Sequence, residues 1–443
     1  MVLRRRIALA VLVLLTASAC AAGRSPAPSA GPGATPRRHV LANGVRIVVE
    51  EHRLSDVAAV QLWVAAGGRD EGATELGLAH YLEHMLFKGT ATRPGRAINR
   101  AVEESGGRMN AGTSLEYTYY HMVLPASRTS TAIELLADIA VNATLDEGLL
   151  EAEKRVVLEE MRLGRDNPAR FLSRKTWEAA FEGHPYGRPV IGTEPLIANL
   201  TREQLVGFYR RLYVPENFTL VVVGPVDPGE VRQLAGRAFG RLPRSGTPRL
   251  PVPPPPALRP HAVEWPRPGA HAHLALAWHA PRLDHADTPA VDLLVAVLGQ
   301  SRSSRLTRTL RERLGLVQSV SAGYTALQAA GLVTVTAQLE PSNLAAAERE
   351  IVAEVRRLAS EGVGAAEHER ALTAAEAQRE FLAETAEGRA RLLGHAETVW
   401  RLEAEARYLD RLRAVTAEHI RGAAQRYLDP ERYVKVTLVP PAR

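Results

Sequence analysis

Apolar residues recur along this chain with two alternating periods. Over residues 40–50 and 57–66 they fall in β-branched runs around an Asn43-Gly44 pair, which predicts strands with a turn between them. Gly67-Gly68 ends that pattern, and over 75–88 the apolar spacing changes to three and four, which predicts a helix. Helix is expected again over 98–104, a strand pair over 108–112 and 117–124, and amphipathic helices over 127–141 and 149–163. Further helix at 176–181 and 202–213, a strand at 218–223 and a helix at 228–239 complete the first half.

Beyond a proline-rich stretch at 245–260 the order of elements repeats. Strands are expected at 262–264 and 271–278, helices at 288–298 and 305–313, and strands at 317–324 and 332–338. Long helices at 344–358 and 365–382 follow, then a last strand at 433–439. The 443 residues and 46% apolar content are enough for two cores. The expected fold is therefore α+β, in two structurally repeated domains at 37–244 and 261–443, with the prolines between them forming a semi-rigid hinge.

The first forty residues read differently. Arg4, Arg5 and Arg6 precede an apolar run too short for an ordinary membrane span, followed by Thr16-Ala17-Ser18-Ala19-Cys20, the layout of an export signal over 1–19. Cys20, the only cysteine, stands where a bacterial lipoprotein signal leaves its lipidated N-terminus, although Ala17 replaces the usual leucine. The other reading is a plain secretory signal cut after Ala19 or Ala21. Both predict an exported protein of the bacterial cell envelope without a disulfide framework. With a lipidated Cys20, the membrane is reached through the anchor alone; Ala21 is similar to the residue found in outer-membrane lipoproteins. Residues 20–36, rich in Gly, Ser, Pro and Ala, form a flexible tether. The net charge of +6 includes those three leader arginines, and the remaining basic residues are scattered among acids, so no nucleic-acid partner is expected.

The candidate chemistry lies in the 75–88 helix. His80 and His84 are one turn apart and share a face, so both imidazoles can address one ion, with Glu83 beside them as a carboxylate able to serve as general base. This is the His-x-x-Glu-His order. The plain alternative is a surface helix that needs no ion. On the 149–163 helix, Glu153 and Glu160 lie seven apart on one stripe, while Glu159 is turned about 100° away. These acids are candidates for a third ligand, or else part of a solvated face paired with Lys154, Arg155 and Arg162.

The run His80-Tyr81-Leu82-Glu83-His84-Met85-Leu86-Phe87-Lys88-Gly89-Thr90 resembles the signature of the M16 metallopeptidases, the family of pitrilysin, insulin-degrading enzyme and the mitochondrial processing peptidase. In that family a glutamate about 76 residues past the second histidine completes the zinc site, with another functional glutamate seven residues before it. Glu160 and Glu153 stand at those spacings. Gly106-Gly107-Arg108-Met109-Asn110-Ala111-Gly112-Thr113 is similar to the family's edge strand, and 209–224 to the closing segment of its first domain.

The resemblance implies Zn2+ held by His80, His84 and Glu160, Glu83 as the catalytic base, and Glu153 orienting a ligand or the helix rather than binding the metal itself. It also implies peptide binding along the edge strand at Asn110 and Ala111. In the second domain the family supplies an arginine and, seven residues later, a tyrosine that bind substrate. Arg311 fills the first place and Gln318 stands in the second. The expected protein is a zinc endopeptidase acting on peptides or unfolded segments in a chamber formed by a dimer. Because of Gln318, its partner is expected to be a zinc-less M16 subunit carrying the Arg/Tyr pair; a homodimer working with Gln318 is the rival. A noncatalytic binding or scaffold subunit is the alternative function. His271, His273 and His279 are expected to be packing or surface residues.

Overall fold

A computed structural model describes residues 35–246 and 249–441. The expected export signal, Cys20 and nearly all of the tether lie outside the described residues. Two sheets form the frame. The first holds β1 (Arg37–Val40), β2 (Arg46–Glu51), β3 (Val57–Val64), β4 (Arg108–Thr113), β5 (Thr118–Pro125) and β6 (Phe218–Gly224), in the order β1-β2-β6-β3-β5-β4. The second holds β7 (His261–Pro266), β8 (Ala272–Ala280), β9 (Ser319–Ala326), β10 (Gly331–Leu339) and β11 (Val434–Val439), in the order β7-β11-β8-β10-β9. Apart from β1 the two orders superimpose strand for strand, each with one parallel pair, β2 with β6 and β7 with β11. This is the α+β architecture of two repeated, mostly antiparallel, helix-covered sheets, and it leaves β4 and β9 as corresponding free edges.

The helices of the first half are α1 (Leu78–Leu86), α2 (Gly95–Glu104), α3 (Thr129–Val141), α4 (Glu147–Asp166), α5 (Pro168–Ala180), α6 (Glu194–Ala198), α7 (Arg202–Leu212) and α8 (Pro228–Phe239). Those of the second are α9 (Thr288–Gly299), α10 (Leu344–Glu361), α11 (Ala365–Ala383), α12 (Ala386–Val399), α13 (Leu402–Ala406), α14 (Tyr408–Arg413) and α15 (Ala417–Tyr427). Between α9 and β9, Thr307–Arg313 winds as a π-helix, with Leu314 N–H reaching back to Thr309 O. Alternation along β3 shows how the sheets are used: Ala58, Val60, Leu62 and Val64 face the core under α1, α3 and α4, while Ala59 and Trp63 face the other side. Both faces are buried, so β6 is buried along its whole length and apolar except for Thr219.

What covers the second faces is an exchange between the halves. Helix α5, from the first half, lies on the second sheet, where Leu172 meets Ala275, Val434 and Val436, and Ala180 O accepts from His279 Nε2 at 2.7 Å. Helix α12, from the second half, lies on the first sheet: Ala386, Ala390, Leu393 and Ala396 pack against Val48, Trp63 and Val221, and Arg389 forks onto Glu50. The sequence pattern shows α5 only from residue 176 and contains no expectation for α12 to α15.

The proline run is held along its length by contacts with the first half. Leu250 O accepts from Arg69, Pro253 O accepts from His184, and Val252 and Leu258 pack against Phe181 and Tyr186. A buried polar group reinforces the seam. Arg249 clamps Asp70, and Glu116 receives Tyr186 O–H and the backbone N–H of Gln328, whose own amide is held by Arg69 and Val399 O.

Candidate metal centre

Helix α1 begins at Gly77 in the left-handed region (φ 97°), where a Cβ would come within 2.8 Å of Gly192 Cα, so only glycine fits. No side chain at Gly77 caps the helix. Instead the buried Glu71 carboxylate takes the N–H groups of Gly77 at 2.9 Å and Ala79 at 2.8 Å. Burial pushes Glu71 up to about 8, against the effect of these two bonds. Leu78, Tyr81, Leu82, Met85 and Leu86 face the core, which turns His80, Glu83 and His84 to the opposite, half-open side.

Helix α4 approaches that side. Asp146 caps it by accepting from Leu149 N, and Leu150, Glu153, Val157 and Met161 form its buried face. Tyr81 O–H donates to Leu150 O, fixing α4 against α1. Glu160 Oε2 then lies 3.6 Å from His80 Nε2 and 3.7 Å from His84 Nε2, and the three potential ligand atoms lie within 4.8 Å of one another. Four tetrahedral ligands about 2.0–2.1 Å from zinc stand roughly 3.4 Å apart, so the donor set fits that ion. Burial and the neighbouring His84 ring lower His80 to about 4, keeping its imidazole neutral, as a ligand must be.

Glu153 occupies the other edge of His84. Its Oε1 is 2.9 Å from Nδ1 and its Oε2 2.6 Å from Lys88 Nζ. The contact places the proton on Nδ1 and directs the Nε2 lone pair at Glu160. His80 has no counterpart: its Nδ1 is buried without a hydrogen-bond partner among the described residues. The salt-bridged reading of the helix holds for the other acids, with Glu151 on Lys154 and Glu159 on Arg162.

Glu83 lies beside this trio. Thr113, the last residue of β4, donates to Glu83 Oε2 at 2.5 Å. Burial raises the Glu83 carboxyl; the Thr113 bond and His84 oppose the rise. The sequence runs that carry the resemblance include Thr113 and Lys88 but give neither a role. Lys88 continues the i, i+4 stripe of His80 and His84 and was open to that argument; Thr113 is brought in by the sheet, and nothing local announces it.

The remaining expected residues are spread apart. Asn110 and Ala111 do lie on a free edge, but Ala111 N–H is taken by Asn110 Oδ1 at 2.8 Å, leaving the Asn110 amide nitrogen as donor there. Gln318 pairs its backbone with Gln338 O and gives its amide to Glu340 Oε1 at 3.0 Å, 3.1 Å from His271 Nδ1. Arg311 is exposed on the π-helical turn. Neither belongs to the three-atom cluster. His279 is a packing histidine, stacked on Phe181, and His271 is paired with Glu340.

The family model for Insulinase (Peptidase family M16) matches residues 46–194, and that for the Peptidase M16 inactive domain matches 199–375. An uncharacterized zinc protease of Mycobacterium tuberculosis is 35% identical over 353 residues, covering 78% of this chain and 79% of that one. The chain belongs to peptidase family M16. A second relative, an uncharacterized zinc protease of Bacillus subtilis, is 30% identical over 299 residues, 68% of this chain and 72% of its own length. The crystal structure of a protease from Helicobacter pylori matches with a TM-score of 0.87 and 25% identity, covering 92% of this chain and all of that one. Both curated relatives are named zinc proteases, and this chain carries a His-His-Glu trio able to hold a metal ion.

Proposed function

We propose that this M16 chain is a zinc-dependent endopeptidase of the bacterial cell envelope that cleaves peptides or unfolded segments. The observation that carries the reading is the convergence of His80 Nε2, His84 Nε2 and Glu160 Oε2, with Glu83 on the same helix face. Zinc held by these three residues supplies Lewis acidity, polarising a carbonyl and acidifying water. Glu83 takes the proton from the attacking water and returns it to the leaving amide nitrogen. Thr113 holds one carboxylate oxygen and so aims the other. Glu153 and Lys88 keep His84 in its ligating tautomer. The free edge of β4, ending at Thr113, supports docking of an extended substrate by strand addition.

Export and a lipid anchor at Cys20 rest on the Arg4 to Cys20 pattern. A zinc-less M16 partner rests on Gln318, whose amide is engaged with Glu340 and His271. The scaffold alternative is disfavoured by retention of all three ligands and Glu83. The test is a peptide-library digest with zinc analysis, on this chain alone and with an M16 partner. Wild type cleaves and Glu83→Gln keeps zinc without cleaving; cleavage by the variant at the wild-type rate overturns the assignment. Strong activity of the chain alone removes the heterodimer.

A further inference from the structure

We infer that the cleft beyond the C-terminal end of β4 is a subsite selecting an acidic substrate side chain next to the scissile bond. This rests on the peptidase reading above. The cleft, about 690 Å³, is walled on one side by Thr113 and the two residues after it. Thr113 touches Glu83 directly, and strand residues are about 3.3 Å apart, so a peptide laid along β4 puts a side chain here within a residue or two of the reacting carbonyl.

The opposite wall is α5. Arg170, Arg174 and Trp177, at i, i+4 and i+7, present one face to the cleft, and Arg188 lies on the chain segment that closes it. None of the described residues lining it is acidic. The three guanidiniums are poorly compensated. Among the described residues, the Arg170 side chain has no hydrogen bond or ion pair. Arg174 reaches Glu178 only at 3.5 Å and sits 5.1 Å from the centre of the Phe171 ring, and among the described residues its buried Nε has no hydrogen-bond partner. Arg188 donates to the neutral backbone oxygen of Glu71.

Like charges gathered on one wall, Arg170 exposed and Arg174 and Arg188 half-buried, favour an anion, and the planar guanidinium fork matches a carboxylate. Trp177, stacked on Phe181, supplies an apolar surface for the methylenes that carry that carboxylate. A lysine or arginine side chain here meets repulsion from all three. The subsite therefore discriminates by charge as well as size.

Peptides of one sequence, varied on either side of the cleavage point among Glu, Gln, Leu and Lys, test this. Their binding to Glu83→Gln is read by fluorescence anisotropy, and their digestion by wild type as kcat/KM. At one of the two positions the Glu peptide binds at least tenfold more tightly than the Gln peptide, the gap narrowing as salt is added. In the Glu83→Gln background, Arg170→Gln with Arg174→Gln brings the ratio within about threefold while zinc content is kept, and Arg170→Glu shifts preference toward Lys. Equal binding of Glu and Gln peptides at both positions, or preference for Lys in the unaltered subsite, overturns the inference. Acid preference in binding without cleavage by wild type, either alone or with an M16 partner, overturns the peptidase reading and leaves the subsite standing.

Discussion

Glu153 Oε1 lies 2.9 Å from His84 Nδ1, on the ring edge opposite the nitrogen that faces Glu160. A carboxylate at this buried position is stable because His84 and Lys88 both engage it. Its removal leaves the three ligands intact but frees the His84 ring. Glu153→Gln is expected to weaken zinc binding ~10–100-fold, read by competition with a chelator. Unchanged affinity means that the contact does not orient the ring.

Thr113 is the link between the substrate edge and the base. Its hydrogen bond favours the charged form of Glu83, so Thr113→Val raises the carboxyl further and moves the acid limb of kcat/KM to higher pH. Zinc content should be unaltered, with kcat reduced on the order of tenfold for loss of one bond to a charged group. An acid limb that stays in place, or moves to lower pH, counts against this role.

Burial between α12 and the first sheet, where His395 lies edge-on to Trp63 and Tyr117, lowers His395 to about 4 from 6.5. The unfolded chain therefore binds more protons than the folded one between these values, and stability falls as pH falls through that window. Thermal melts from pH 7 to 4 should show the loss, and His395→Gln should flatten the curve over the same range.

Close packing of α12 makes a second prediction. A Cβ at Gly394 would lie 2.1 Å from Trp63 Nε1, whereas one at Gly164 on α4 meets nothing within 4 Å. Gly394→Ala should destabilise by about 1–3 kcal/mol or more. Gly164→Ala should be neutral or stabilise by up to about 1 kcal/mol. Differential scanning calorimetry of the two separates packing from propensity.

Legibility in the sequence followed how local the cause was. The His80, Glu83 and His84 face, the β3 run and α8 are set by near neighbours and could be read from spacing and β-branched residues; which face each β3 residue takes could not, because the strand is apolar at every position but Gln61. Glu160 was assigned from a long separation shared with a family, because no local rule joins helices that far apart in the chain. The first turns of α5 carried a readable start, Asn167 capping Arg170 N with Pro168 at the first position, that apolar spacing alone passed over. Helix α12 escaped because Ala386, Gly388, Ala390, Leu393, Gly394 and Ala396 are buried without a clear polar stripe. Its partner sheet is built more than 150 residues earlier. The proline run read as a hinge from composition; its contacts with Arg69 and His184 are tertiary.

Anomalous scattering at the zinc edge from crystals of the Glu83→Gln chain shows whether His80, His84 and Glu160 share one ion. One peak is expected, bounded by His80 Nε2, His84 Nε2 and a Glu160 oxygen at about 2.0–2.2 Å, with residue 83 outside the coordination sphere. No peak between α1 and α4, or a peak that Glu160 does not touch, contradicts that shared site.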